Sequence, residues 1–316
     1  MTLNTRPIRS YAGLVLLCCV FANAPSSHAQ DSFLQQRADA AIALMTFTVL
    51  PDITASNLTI ESNGAGEADL VMAILGGGFT WSETLPLYLE GTLGYSRYDP
   101  KFVLGETAAT LPVEAEWETA SASGGIGWDF PLQGAWVIRP IANLALGNLA
   151  SDLTRDADRL VDPLSRRRLD FLDDGRLSAV GYGASVMADY ELFSARHDID
   201  AELRYSYIHI ESCCDSSEVV SGSSNSESAS LYLRRRAPTG LILLSRPLRY
   251  VLEAAYTSYF GAQRGMLGFD ALGSLGAGLE IDSSNYDIVI SRFRLVGRYM
   301  FGENTTGYSV GMAVSF

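Results

Sequence analysis

Lysine is nearly missing from this sequence: Lys101 stands alone, and every other basic side chain is arginine. The planar fork of arginine suits phosphate and carboxylate groups, which fits a surface facing lipopolysaccharide; a biased genome accounts for the same preference. Cysteine is scarce. Cys18 and Cys19 lie in an N-terminal apolar run, and Cys213 and Cys214 are adjacent, so no disulfide framework is available to staple a fold. After that N-terminal run, no apolar stretch approaches the ~18 residues a membrane-spanning helix needs. The net charge of -13 excludes nucleic acid as a partner. No cofactor or metal site is read from the residues present.

What is present begins with a secretory signal. Arg6 and Arg9 form a positive start, Gly13 to Phe21 is a short apolar run, and Ser27-His28-Ala29 offers small residues around a cleavage site. Residues 1–29 are therefore expected to be removed, with export to the periplasm and beyond. Residues 31–45 read as a helix, built from Gln, Ala and Leu with no Gly or Pro, and Thr46 to Leu50 drifts towards strand composition. The expected organisation is a helix or pore plug over 30–50 and an all-β barrel over 51–316.

The hydrophobicity of that remainder is dispersed through alternating segments, the signature of strands with one apolar face. Twelve can be counted, at about 53–60, 69–80, 87–98, 113–130, 136–146, 177–190, 197–210, 228–244, 249–259, 267–281, 286–301 and 307–316. In the fourth, Glu114, Glu116 and Glu118 share parity with Ile126, Trp128 and Phe130; a bulge near 121–125 would swap the faces. Twelve is even, as single-chain bacterial outer-membrane barrels require. With the C-terminus in the periplasm, the connections 99–112, 147–176 and 211–225 fall outside and are the longest, and the periplasmic turns are short, the asymmetry such barrels have.

Opposite the apolar faces stand Glu90, Arg139, Asp200, Glu202, Arg204, Glu253, Glu280, Arg292, Arg294 and Arg298. A charge at the lipid midplane costs ~2–4 kcal/mol, so these ten are expected to line the lumen, as a polar channel or as neutralising pairs that close it. Tyr95, Trp128, Trp136, Tyr190 and Tyr207, near strand ends, read as interfacial girdles. Cys213 and Cys214 could form a strained vicinal disulfide, link two chains or bind metal, and an oxidised pair is expected in an oxidising compartment.

The last ten residues alternate without exception. Tyr308, Val310, Met312, Val314 and Phe316 share one face. This stretch resembles the closing strand of bacterial outer-membrane barrels, whose terminal aromatic is read by the barrel-assembly machinery. Signal peptide, N-terminal helix, twelve strands, Phe316 and phrases such as Leu87-Tyr88-Leu89-Glu90-Gly91 and Tyr95-Ser96-Arg97-Tyr98 together resemble the translocator domain of autotransporters, in a solitary form with no passenger. That resemblance implies a twelve-stranded outer-membrane barrel embedded in lipid and lipopolysaccharide, a helix in its pore, and no catalytic residues. Two rivals remain. One is a barrel hydrolase at the outer rim, phospholipase-like through His209 and Ser212 or protease-like through His209 and Asp215. The other is an adhesin working through the long loops.

Overall fold

In a computed structural model of the protein, the residues described are 42–43, 45–49, 56–62, 69–99, 101–104, 111–153, 175–194, 196–214, 222–265, 269–282, 292–303 and 305–315. The strands are β1 Ser56–Ser62, β2 Asp69–Thr80, β3 Leu87–Asp99, β4 Lys101–Leu104, β5 Leu111–Trp128, β6 Phe130–Pro131 and β7 Trp136–Leu153, then β8 Gly175–Leu192, β9 Asp198–Cys213, β10 Ser223–Leu243, β11 Arg246–Gly261, β12 Ala271–Asp282, β13 Arg292–Gly302 and β14 Thr305–Ser315. All pairings are antiparallel. The short β4 and β6 attach only to β5 and β7, and the other twelve form a ring. β1 pairs with β14, as Ser56↔Gly311 and Ser62↔Thr305. β5 pairs with β7 from Ala115↔Leu153 to Gly127↔Ile141, which closes the circuit. Every strand of the ring thus has two partners, the condition lipid imposes on backbone N–H and C=O groups. No described helix is long and apolar enough to cross a membrane.

The burial pattern is inverted relative to a water-soluble protein. Leu75, Leu93, Leu144, Leu146, Leu203, Leu275 and Val310 each expose more than half of their surface, whereas Arg139, Arg204, Glu253, Glu280, Arg294 and Arg298 are buried. Period-two alternation produces this directly: one parity carries aliphatics outward, the other carries charge inward. Outward charges occur towards strand ends, as with Arg97 and Glu118 at the long-loop end and Arg235 at the short-turn end. The girdle aromatics fall at the same levels. Trp136 and Tyr190 pack in a tilted pair with ring centroids 5.0 Å apart on the short-turn side, and Tyr95 and Tyr207 are exposed on the long-loop side.

Three expectations need correction. β5 carries no bulge: its register with β3 runs unbroken from Leu87↔Trp128 to Tyr98↔Trp117. Glu118 faces outward with Ile126 and Trp128, beyond the apolar belt, and accepts a hydrogen bond from the Tyr95 hydroxyl at 2.8 Å. The face never had to swap, because the charge lies where lipid ends. The tenth predicted strand begins at Ala271, and Phe269 before it is buried rather than outward. The helix includes residues 42–43 and 45–49, so it runs through the stretch read as strand-like. Thr46 and Thr48 adapt to it by bonding their hydroxyls back to the carbonyls of Ala43 and Met45. Residues 31–41, with Gln35, Gln36, Arg37 and Asp39, lie outside the described residues, as does the predicted strand start at 286–291.

Candidate functional site: the barrel interior

The interior has two storeys of different chemistry. Nearest the short turns lies a layer of ion pairs. Arg139 on β7 grips Asp129 with two nitrogens, reaches Asp189 on β8 at 3.3 Å, and lies 3.9 Å over the Tyr88 ring. Thr80 donates to the same Asp129 at 2.6 Å. Arg204 on β9 spans the lumen to Glu90 on β3 in a forked pair at 2.7 and 2.8 Å. Asn143 donates to that Glu90 at 2.7 Å, and Ser185 donates to Asn143 in turn. On the opposite wall, Arg298 bonds Glu253 at 2.6 Å and Tyr232 donates to Glu253 at 2.8 Å. Arg234 holds Asp200 and Arg249 holds Asp198, each at 2.7 Å. Glu280 lies between Arg236 at 3.5 Å and Arg294 at 3.9 Å.

These side chains are bulky, and inward glycines give them room. A Cβ at Gly78 would collide with the Tyr88 hydroxyl, one at Gly125 with Glu90 and Asn143, and one at Gly127 with Ile141 and the Pro140 carbonyl. Tyr88, Ile141 and Met187 pack together beside Arg139. Buried charges require such partners, and here opposite charges neutralise one another across the lumen instead of leaving one sign facing an open channel.

Towards the long loops the described inner face loses its charges, and Ser96, Thr119, Ser226 and Ser309 are buried there among apolar side chains. Met72, Trp117, Ala145, Leu149, Leu177, Ala179, Ile208, Ile210 and Leu272 are all buried. Ile42, Met45, Phe47 and Val49 of the helix are buried as well. The helix contacts widely separated parts of the ring. Thr48 lies where a Cβ on Gly94 of β3 would be, Met45 meets Gly147 of β7, and Phe47 packs on Tyr259 of β11 at 5.1 Å and on Phe269 at 6.5 Å.

All ten residues expected to line the lumen carry inward parity. Glu90, Arg139, Asp200, Arg204, Glu253, Glu280, Arg294 and Arg298 enter the pairs above, and Glu202 and Arg292 are half-buried at the short-turn end. Sequence reasoning missed Asp129, Asp189, Asp198, Arg234, Arg236 and Arg249, although Arg234 and Arg236 alternate with Leu231 and Leu233 and the signal was there. In the uncharged storey, apolar residues such as Ile208 and Ile210 were hidden because only charge opposite an apolar face had marked the lumen. At the seam, Tyr308, Val310 and Met312 point outward, and Val314 pairs through its backbone with Phe293.

The outer-rim candidates separate. His209 faces outward, its Nδ1 2.7 Å from Asn225 Oδ1, which also accepts from the Tyr207 hydroxyl at 3.2 Å. Asn225 is the orienting partner not evident in the sequence. Ser212 has the opposite parity, and its hydroxyl accepts from Gly222 N at 3.0 Å. The next outward residue after His209 is Glu211, a carboxylate 3.9 Å from Nε2. The Ser–His arrangement is thus not built, and Asp215 lies outside the described residues. Cys213 closes β9, and Cys214 follows it at a φ of 40°.

A closed antiparallel ring with an apolar exterior and a charged interior is the architecture of an outer-membrane β-barrel. Residues 46–160 match the autotransporter beta-domain family. Among solved structures, the chain is similar to the β domain of the Bordetella autotransporter BrkA, with 13% identity, 83% of this chain and 97% of that one covered, and a TM-score of 0.47. It is also similar to the transport unit of AIDA-I from Escherichia coli, with 13% identity, 88% and 99% covered, and a TM-score of 0.48. The translocator domain of NalP from Neisseria meningitidis aligns at 11% identity, 89% and 95% covered, and a TM-score of 0.42. No curated protein matches the sequence.

Proposed function

We propose that the protein is a sealed outer-membrane barrel of autotransporter type, a surface-exposed structural protein rather than an open porin or an enzyme. Export follows removal of residues 1–29, the strand face ending at Phe316 serves the assembly machinery, and the surround is lipid and lipopolysaccharide. One observation carries the reading: the interior is occupied over both storeys, by cross-lumen pairs such as Arg204–Glu90 below and by the buried helix above. Charges already paired to one another offer a permeant ion little uncompensated field.

The test is conductance in planar bilayers. The full chain is expected to conduct negligibly, and deletion of residues 30–50 to raise conductance only modestly, because the ion-pair storey remains. The deletion combined with Glu90→Ala and Arg204→Ala, which removes the cross-lumen pair, is expected to raise it further. Porin-like currents from the intact chain would end this reading. A hydrolase reading draws on the His209–Asn225 contact alone. Purified protein in detergent is expected to release no fatty acid from phospholipid, with or without calcium; release abolished by His209→Ala would revive it.

A further inference from the structure

The outer end of β9 carries a row of donor groups that neither the lumen nor the apolar belt uses. Leu203, Tyr205 and Tyr207 face outward, and the same parity continues through His209, Glu211 and Cys213. Alternate residues of a strand share one face, so an imidazole, a carboxylate and a thiol follow one another on a single side. Nitrogen, oxygen and sulfur together are the donor set of zinc and similar borderline metals, whereas calcium and magnesium take oxygen.

The imidazole is already held as a metal ligand would be. Its Nδ1 lies 2.7 Å from Asn225 Oδ1 on β10. An amide oxygen only accepts, so Nδ1 carries the ring proton and Nε2 presents its lone pair. The Tyr207 hydroxyl donates to the same oxygen at 3.2 Å, and the Tyr182 ring on β8 packs on the imidazole with centroids 5.4 Å apart. Metal-bound histidines characteristically donate their second nitrogen to an oxygen, which fixes tautomer and ring orientation. Nε2 stands 3.9 Å from the Glu211 carboxylate, beyond hydrogen-bond reach. A zinc ion held tetrahedrally at about 2.1 Å from both needs them roughly 3.4 Å apart. That is a small movement for a carboxylate whose side chain is 51% exposed. The cross-strand neighbours of Glu211 are Val180 and Ser223, both small, which leaves room over it.

We propose that His209, Glu211 and Cys213 form a zinc-class metal site at the long-loop rim, with Asn225 as the residue that positions the imidazole. Among the described residues no three such donors already converge. Two face one another as the strand stands, and the Cys213 side chain turns along β9 to supply the third. The fourth position is left to water.

The experiment uses the full chain folded in detergent, reduced and then stripped of reductant without air, with cobalt(II) as the probe and zinc(II) as competitor. A single tight cobalt is expected, with the intense visible bands of a tetrahedral site and a thiolate-to-cobalt band in the ultraviolet, and zinc should displace it. Asn225→Ala should weaken cobalt about tenfold with the bands retained, and His209→Ala about a hundredfold. Cys213→Ser should remove the ultraviolet band, and Cys214→Ser should leave it. Heat-modifiable migration shows that each variant is still a barrel. Failure of the folded, reduced chain to bind cobalt overturns the site, as does an affinity that His209→Ala leaves unchanged. An ultraviolet band that survives Cys213→Ser and is lost with Cys214→Ser overturns the choice of third ligand. Protein extracted from outer membranes without reductant should carry zinc, and a Cys213–Cys214 disulfide with no zinc there overturns the site as one filled on the cell. None of these outcomes touches conductance, so the sealed-barrel reading stands or falls separately.

Discussion

Glu90 and Arg204 meet across the lumen from positions 114 residues apart in the chain. Their side chains are each 3% exposed, so removing one partner strands a charge in a dry interior. Arg204→Ala is expected to destabilise the barrel by about 3–5 kcal/mol, seen as a lower urea midpoint for loss of the folded band. Replacing both, as Glu90→Gln with Arg204→Met, should recover most of that, because an apolar and amide pair of similar bulk leaves no charge unpaired. Equal destabilisation by the single and double variants would show that the pair's value lies in packing. At this scale the sequence was readable where parity was clean, as for Arg294 and Arg298 opposite Leu295 and Tyr299. Parity was equally clean for Asp129, which alternates with outward Trp128 and Phe130 and is held inward by Arg139 and Thr80, but a lone acid next to a turn drew no notice. Partner identity depends on ring curvature, which no local pattern encodes.

Among the elements, the strands were legible and the helix only partly so. Alternation located all twelve ring strands, with ends displaced by up to seven residues where apolar belt gives way to loop, as in β7, predicted to end at 146 and ending at Leu153. The helix was foreseen from alanine and glutamine content, yet its described part includes Thr46, Phe47, Thr48 and Val49, poor helix formers held by burial and back-bonded hydroxyls. Its place is testable by cross-linking. A Cβ built at Gly147 would stand 3.9 Å from Met45 Cβ, within the span of a disulfide. Met45→Cys with Gly147→Cys, in a background lacking Cys213 and Cys214, should therefore bridge spontaneously on oxidation. The bridge is read as a mobility shift reversed by reductant and as protection of the helix from protease. Free thiols after oxidation would place the helix elsewhere.

For the whole molecule, ring closure makes unfolding an all-or-none loss of many ladders. Unheated and boiled samples are expected to run differently in detergent electrophoresis, and identical migration would contradict the closed ring. Strand number and the inward charge were visible in the sequence because lipid outside and polar groups inside impose opposite chemistry on alternate residues. The division of the lumen into an ionic storey and an uncharged one was not, since the second takes its meaning from the helix packed in it.

The ring is sealed between β1 and β14, and the helix stands immediately before β1. From Val49 to Ser56 the chain can reach no more than about 25 Å. A helix on so short a leash stays beside β1 throughout closure of the ring, at an effective concentration that favours its capture. We expect it to be trapped as β14 meets β1. A barrel forced to close with its leash lengthened by twenty glycine and serine residues should trap the helix less often, leaving a protease-sensitive fraction that the native spacing disfavours.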